Sequence, residues 1–381
     1  MKSNALLKSL QLIFLFLSAF SIHADEPRFY IPDAPPIDAS SYALMDHNSK
    51  SMLAANNENQ RRSPASLTKI MTSYVIFKRL KEEFITLDDE VKISEKAWKT
   101  GGSRSFIEVG KIIRLEDLLK GMIIQSGNDA SVALAEHVAG SEGTFVLFMN
   151  DYAQQLGMTN SRFENSSGLP HEEQYTTAKD MAILSSAMIE EFPEFYKWYS
   201  EKEFTYNNIT QTNRNKLLFT DSTVDGLKTG WTQMAGYCLV TSANRVGMRL
   251  ITVVMGSASP AVRTIETEKL LDYGFRFFET QSVNDISHQV AVYKSKKANI
   301  KVGVAESSYL TLPRNQFKYI TQTINLSGDL IAPITKGDEV GTLAISFDNK
   351  NIASLPLIAL DNAIEGGFLT KMVDTVKLLF R

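Results

Sequence analysis

Residues 236–256, GYCLVTSANRVGMRLITVVMG, read as two apolar runs joined at Ala243–Gly247. Short runs rich in valine, isoleucine and threonine around a glycine-bearing turn form a β-hairpin. Immediately upstream, VDGLKTG (224–230) is a further strand candidate, and downstream a helical period runs from about Val262 to Phe278. Near the start of the chain, SYALMDHNSKSMLAANN (41–57) repeats the pattern, with two short apolar runs flanking Asp46-His47-Asn48-Ser49. Between these strand regions the chain is helical. Leu67, Ile70, Met71 and Tyr74 follow Ser63-Pro64 at helical spacing, with Pro64 suited to a first helical turn. Further helices read at Leu115–Gln125, Asp129–Val138, Gly143–Leu156 and Ala178–Glu190. The order strands, helices, strands, helix predicts an α+β domain over residues 41–281, with one antiparallel sheet built from its two ends and helices laid against it.

Outward from this domain the pattern changes again. Residues 282–362 are short strands separated by turn residues such as Asn325–Gly328, Lys336–Asp338 and Asp348–Lys350, which predicts a second, all-β domain. Residues 25–40 hold the proline-rich PRFYIPDAPPIDA, an extended leader. Residues 1–24 place Lys2 and Lys8 ahead of an apolar run from Leu10 to Ile22, the pattern of a secretory signal peptide cleaved near Ser21 or Ala24. The alternative is an uncleaved N-terminal anchor. Residues 363–381 end in FLTKMVDTVKLLFR, whose apolar Phe368, Leu369, Met372, Val373, Val376, Leu379 and Phe380 recur at helical spacing. A segment so short and charged lies in a membrane interface rather than crossing the bilayer, and the break at Gly366-Gly367 favours a detachable anchor. The alternative is a terminal helix packed on the protein's own surface.

Composition removes several function classes. The chain of 381 residues is 44% hydrophobic and carries 40 Lys plus Arg against 43 Asp plus Glu, a net charge of −3. It has a core to bury and no global positive field to gather nucleic acid. Cys238 is the one cysteine, and the five histidines lack metal-ligand spacing, so disulfides and thiolate metal sites drop out. Glycine-rich dinucleotide and phosphate-loop motifs are missing as well, so no metal and no cofactor is expected.

The chemistry-bearing residues begin in SPASLTKIMT (63–72), where Ser66 and Lys69 stand one helical turn apart on one face. A serine hydroxyl becomes a nucleophile when a base takes its proton, and a lysine becomes that base when burial lowers its pKa. Alone, such a pair is weak evidence. Ser126-Gly127-Asn128 lies between two predicted helices, where a short loop aims a hydroxyl and an amide into a cleft. Lys228-Thr229-Gly230 ends a strand candidate, so its cation meets a carboxylate while Gly230 lets a substrate backbone approach. Each also reads as an ordinary turn or strand end; the three together, in this order, do not.

Together these motifs resemble the signature of penicillin-binding proteins and serine β-lactamases. The stretches QSGNDASVALAEHVAGSEG, EKEFTYN, VDGLKTGWT, AGYCLVTSA and YGFRFFET are similar to the low-molecular-mass D-alanyl-D-alanine carboxypeptidases, and the likeness covers nearly the whole mature chain. The resemblance implies a penicillin-binding fold and removal of the terminal D-alanine from peptidoglycan pentapeptide stems by acyl transfer. It implies that Ser66 attacks the carbonyl, Lys69 is the general base and Ser126 relays a proton to the leaving amine. Asn128 would hold the substrate amide, Lys228 would support the cleft's positive potential, Thr229 would help bind the terminal carboxylate, and Gly230 is a substrate-binding candidate beside them. Arg263 and Ser103 are further substrate-binding candidates. β-Lactams would acylate Ser66, and the location implied is the periplasmic face of an inner membrane, with the membrane surface as a partner.

There are departures. Trp231 follows Lys228-Thr229-Gly230 where some relatives carry histidine, and the loop at Gly101–Arg104 is shorter than in some relatives. A serine β-lactamase of the commonest class needs a Glu-x-x-Leu-Asn loop; Glu164-Asn165 is followed by Ser-Ser-Gly and Glu172-Glu173 by Gln-Tyr, so that rival is disfavoured. A D,D-endopeptidase stays open, and so does a peptidoglycan-binding scaffold without turnover.

Overall fold

The computed structural model describes residues 31–283, 286–304, 308–347 and 350–380; the signal segment expected at 1–24 lies outside them. From Asp33 onward the chain forms one unit. Its first sheet has the order β2-β1-β9-β8-β7, from β1 (Ser41–Asp46), β2 (Met52–Asn56), β7 (Val224–Thr232), β8 (Gly236–Arg245) and β9 (Met248–Ser257). All four pairings are antiparallel, and β1 joins β9 across the whole domain, so the two ends of the domain close one sheet as the sequence predicts. The central strands read as continuous apolar runs because both their faces are covered. Ile251, Val253 and Met255 point into the main core, while on the other face Leu250 and Leu44 meet Gly274 of α6 (Pro260–Phe277).

The main core lies between this sheet and a helical block of α1 (Thr68–Lys81), α2 (Leu115–Gln125), α3 (Asn128–Ala139), α4 (Glu142–Gln155) and α5 (Ala178–Glu191). The sequence reading assigns α1 one apolar stripe. In the structure Thr68–Phe77 are buried all round, because α1 runs through the middle of the block rather than along its surface. Phe77 packs against Phe195 with ring centroids 4.8 Å apart and edge-on against Phe192 and Trp198. Two small two-stranded sheets interrupt the helical block where no strand is expected: β3 (Glu90–Lys92) with β4 (Ile112–Arg114), and the hairpin of β5 (Glu203–Tyr206) with β6 (Ile209–Thr212). The β5–β6 turn is Asn207-Asn208, both at positive φ, a two-residue turn that asparagine tolerates. The β8–β9 connection is tighter than expected as well: only Val246-Gly247, both at positive φ, so Ala243–Arg245 belong to the strand.

Beyond α6, β10 (Phe278–Ser282) spans the division expected at 281/282 and pairs with β13 (Tyr309–Pro313). The second sheet, β14-β16-β17-β12-β11-β15, is made from β11 (Ser287–Tyr293), β12 (Asn299–Val304), β14 (Thr321–Leu326), β15 (Leu330–Ile331), β16 (Glu339–Phe347) and β17 (Lys350–Ala359). Its own core gathers Val302, Leu343, Ile345, Leu357 and Ala359. The mixed α+β architecture followed by an all-β part is therefore borne out. Thr280 Oγ1 donates to Asp46 Oδ2 (2.7 Å) and the Arg314 guanidinium to the Phe275 carbonyl, tying the two parts at the β1–β2 turn and the end of α6. The chain closes with α7 (Phe368–Leu379), whose apolar residues stay exposed; none of the described helices is long and apolar enough to cross a membrane.

Candidate active site

Ser66 lies in a 3-10 turn, Ala65–Leu67, that leads straight into α1. The residue before it, Ala65, has φ 47°, a left-handed conformation that a β-carbon disfavours, so the turn is held by what surrounds it. Gly168 supplies that hold. Its φ of +83° and its approach to the Ala65 carbonyl, so close that a Cβ would lie 1.8 Å from that oxygen, admit only glycine. Thr72 Oγ1 donates to the Ser166 carbonyl (2.6 Å) and Asn165 Oδ1 accepts the Gly168 N–H (2.7 Å), fastening the 165–170 loop to α1.

Lys69 is buried beside this turn. Its Nζ lies 3.1 Å from Ser66 Oγ and donates to Asn128 Oδ1 (2.7 Å) and the Ser167 carbonyl (2.5 Å). Burial first, and then the positive charge of Arg214, lower its pKa to about 7, against a smaller opposing pull from Asp129. Asn128 opens α3, and its amide is committed at both ends, because Nδ2 donates to the Gly101 carbonyl (2.7 Å). Ser126 closes α2 at φ 66°, left-handed like Ala65; the residue is buried, and its hydroxyl opens on the cleft with no hydrogen-bond partner among the described residues.

β7 forms the opposite wall. Lys228 is buried with its Nζ 3.2 Å from the Thr229 carbonyl, and desolvation, with Lys69, Arg214 and Arg263 nearby, pushes its pKa well below the ordinary lysine value. Thr229 and Gly230 line the cleft. Gly230 also has a packing role: a Cβ there would press on Pro64 O (3.1 Å), Ala65 Cβ and Leu67 N, so the missing side chain lets β7 close on the turn that carries Ser66. Arg263 is buried in α6, donates to the Gly230 and Cys238 carbonyls (both 3.2 Å) and reaches the same cleft, its pKa lowered by desolvation. Ser103 lines the site and its carbonyl accepts the Asn128 N–H (2.7 Å). All nine residues singled out from the sequence thus converge on one place.

Two clefts meet at Ser66. One, of about 430 Å³, runs past Ser126, Thr229 and Arg263; the other, of about 530 Å³, runs past Asn128, Leu169 and Pro170, and Trp231 and Arg214 border both. The profile of the D-alanyl-D-alanine carboxypeptidase family matches residues 29–259, and that of the penicillin-binding protein 5 C-terminal domain matches 275–365. The chain belongs to the D-alanyl-D-alanine carboxypeptidase family. It is a low-molecular-mass penicillin-binding protein and a serine-type carboxypeptidase, so the resemblance read from the motifs holds. Among this carboxypeptidase's relatives, DacC of Escherichia coli is 44% identical over 96% of this chain and 94% of the relative, and DacA of the same organism 42% over 99% and 98%. The crystal structure of penicillin binding protein 5 from Haemophilus influenzae, 42% identical, superposes with a TM-score of 0.83 over 88% of this chain and all of that one.

The sequence reading of this carboxypeptidase missed Arg214 and the 165–170 loop. Arg214 is presented between Asn213 and Asn215, both buried; Asn213 Nδ2 donates to Glu201 O (3.0 Å) and Asn215 Nδ2 to Gly226 O (3.0 Å). An arginine flanked by two asparagines in Thr-Asn-Arg-Asn was the available signal.

Proposed function

We propose that the chain removes the terminal D-alanine from peptidoglycan pentapeptide stems through an acyl-enzyme on Ser66. The arrangement around Lys69 carries this reading. A neutral lysine amine has two N–H groups and one lone pair. Asn128 Oδ1 and the Ser167 carbonyl can only accept, so they take the two N–H groups and leave the lone pair for the Ser66 hydroxyl. A pKa of about 7 keeps much of the amine neutral at neutral pH. Asn128 accordingly acts as a positioning residue for Lys69, in addition to any contact with the substrate amide.

Ser66 Oγ adds to the carbonyl of the penultimate D-alanine while Lys69 takes its proton. The Ser66 N–H, at the start of α1, faces the developing oxyanion with the helix dipole behind it. Ser126 passes a proton to the departing amine, the C–N bond breaks, and D-alanine leaves. Thr229, Arg263 and the field of Lys228 hold the terminal carboxylate. Water then hydrolyses the ester, giving back Ser66 and a tetrapeptide stem. A β-lactam enters by the same attack and stays as an acyl group on Ser66. No metal or cofactor takes part in these steps.

The second part of the proposal is place. The cell envelope is where the substrate lies, and a leading secretory signal with a periplasmic location agrees with it. α7 is a helix of 12 residues, about 18 Å long, too short to span a bilayer. With Phe368, Leu369 and Phe380 mostly exposed, it suits insertion into the interface of the inner membrane. The separate cores on either side of residue 282 support a catalytic domain over 41–281 and an all-β domain over 282–362 that carries the helix.

The test is intact mass of the mature protein with and without excess penicillin, beside Ser66→Ala, followed by D-alanine release from a pentapeptide. One adduct on wild type alone, with D-alanine released, is expected. No adduct overturns the enzyme reading; an adduct without D-alanine release points to endopeptidase action on cross-links.

A further inference from the structure

A third cleft, of about 670 Å³, opens where the β8–β9 turn, the end of α6 and β10 come together beside Arg314. It is remote from the reaction. Tyr237, in the active-site cleft, and Arg245, in this one, stand eight residues apart on β8, about 25 Å along an extended strand. Its floor is apolar, from Met248 and Phe275, both buried. Val246 at its rim has no folding reason to be valine. It is the first of the two turn residues, has φ 52° and is fully exposed. A β-branched residue is strained there, and a two-residue turn of this kind prefers asparagine, which the chain uses at Asn207-Asn208. A strained apolar residue kept in the open beside a cleft points to contact with a ligand.

The charges point the same way. Arg245 is balanced, by Asp221 (2.9 Å) and Asp272 (3.3 Å). Arg276 is not: its guanidinium lies 5.5 Å from the centre of the Phe277 ring and has no ion-pair or hydrogen-bond partner among the described residues. Arg314 directs Nε and one Nη at the Phe275 carbonyl and meets no carboxylate among the described residues. Of opposite sign, Glu279 accepts the Asn315 N–H (2.8 Å) and has no ion-pair partner among the described residues. Two unbalanced guanidiniums and one unbalanced carboxylate over an apolar floor make a receptor for a short peptide with small apolar side chains and more carboxylates than amines.

We propose that this cleft is a second, non-catalytic site for a peptidoglycan stem peptide, which holds the enzyme on the wall while the cleft at Ser66 works on another stem. The inference rests on the carboxypeptidase reading above, which names the polymer. A trimmed stem has the required chemistry: alanine methyls for Val246 and Met248, a terminal and an internal carboxylate for Arg276 and Arg314, and the amine of its third residue for Glu279. On an insoluble polymer a second contact makes the search for each new stem a local one and raises the effective concentration of substrate at Ser66.

The probe is the tetrapeptide stem, product rather than substrate, titrated into full-length protein whose Ser66 already carries penicillin, so that the active-site cleft is closed. Binding is expected, weakened about tenfold by Arg276→Glu. Val246→Asn suits the turn better, so it is expected to fold at least as stably as wild type and still bind the tetrapeptide severalfold more weakly. Without penicillin, both variants are expected to release D-alanine from a soluble pentapeptide at the wild-type rate and from insoluble peptidoglycan severalfold more slowly. The proposal is overturned when acylated protein does not bind the tetrapeptide, when both variants bind it like wild type, or when soluble and insoluble substrates slow alike. Retention on insoluble peptidoglycan that the tetrapeptide does not displace also overturns it, because the ligand is then the glycan strand. The reading beneath fails separately: no penicillin adduct, or no D-alanine from the soluble pentapeptide, sinks the carboxypeptidase, whereas an adduct and D-alanine release without tetrapeptide binding sink the second site alone.

Discussion

Helix α1 and helix α7 both carry apolar residues at helical spacing, and they end in opposite environments. Of the 14 residues of α1, ten in a row are buried, Lys69 among them; of the 12 in α7, Asp374 alone is buried. In α1 the apolar side chains are covered by the protein itself, and Lys69, the one lysine of the buried run, has its pKa lowered by sharing their environment. In α7 the polar side turns inward, with Asp374 accepting the Lys294 N–H (2.7 Å) and the Lys377 ammonium (2.9 Å), while the apolar side is left bare. Periodicity says that a helix has a face to cover. What covers it is decided elsewhere in the chain, and the two outcomes here are a dry cleft wall and an exposed apolar face.

The sharpest way to break this contrast is at Lys69. Lys69→Ala removes the base and is expected to slow acylation of Ser66 by penicillin on the order of 10³-fold, read as the rate of adduct formation by mass; an unchanged rate would move the general base elsewhere. Next comes packing. Phe77→Ala in α1 is expected to cost about 3–5 kcal/mol in urea unfolding, because Phe192, Phe195 and Trp198 cannot all close the hole. Gly168→Ala is expected to cost about 1–3 kcal/mol and to slow acylation as well, since the new methyl collides with the Ala65 carbonyl that shapes the nucleophile's turn.

The pH dependence sharpens the contrast from another side. With Lys69 as base at a pKa of about 7, the acylation rate rises tenfold per pH unit below that value and levels off above it. The stability effect has a definite sign. The folded pKa is depressed below the ordinary 10.5, so between about 7 and 10.5 the unfolded chain binds the extra proton. Stability from this group therefore rises with pH across that window, and a urea midpoint measured at pH 7 and pH 9 would show it. The smallest effect on stability belongs to α7. Phe368→Ser with Phe380→Ser is expected to change unfolding by less than about 0.5 kcal/mol, because both rings are already exposed, and to abolish sedimentation with anionic lipid vesicles. A large loss of stability would mean that the face is covered by protein after all.

The parts legible in the sequence share a property: they depend on neighbours in the chain. Ser66 and Lys69 are one turn apart, the apolar runs of β8 and β9 flank their own turn, and α2–α5 show their period within a dozen residues. What escaped the reading was non-local. Asn207-Asn208 was read past because a turn needs its strands recognised first. Arg214 sits in Thr-Asn-Arg-Asn, a turn signal that does not say which surface the arginine borders. The Gly230 role could not be inferred at all, since the atoms it must avoid, at Pro64 and Ala65, are more than 160 residues away.

The amino-acid sequence by itself determined the main elements, their order and the one-turn spacing of Ser66 and Lys69, because local sterics, hydrophobic period and one-turn spacing are properties of short segments. Tertiary structure alone decided that Lys69 lies in a dry pocket between an amide oxygen and a carbonyl, that Gly168 and Gly230 clamp the turn before α1, and that an unpaired Arg214 borders both clefts. Desolvation and close approach are set by atoms that only the folded chain brings together.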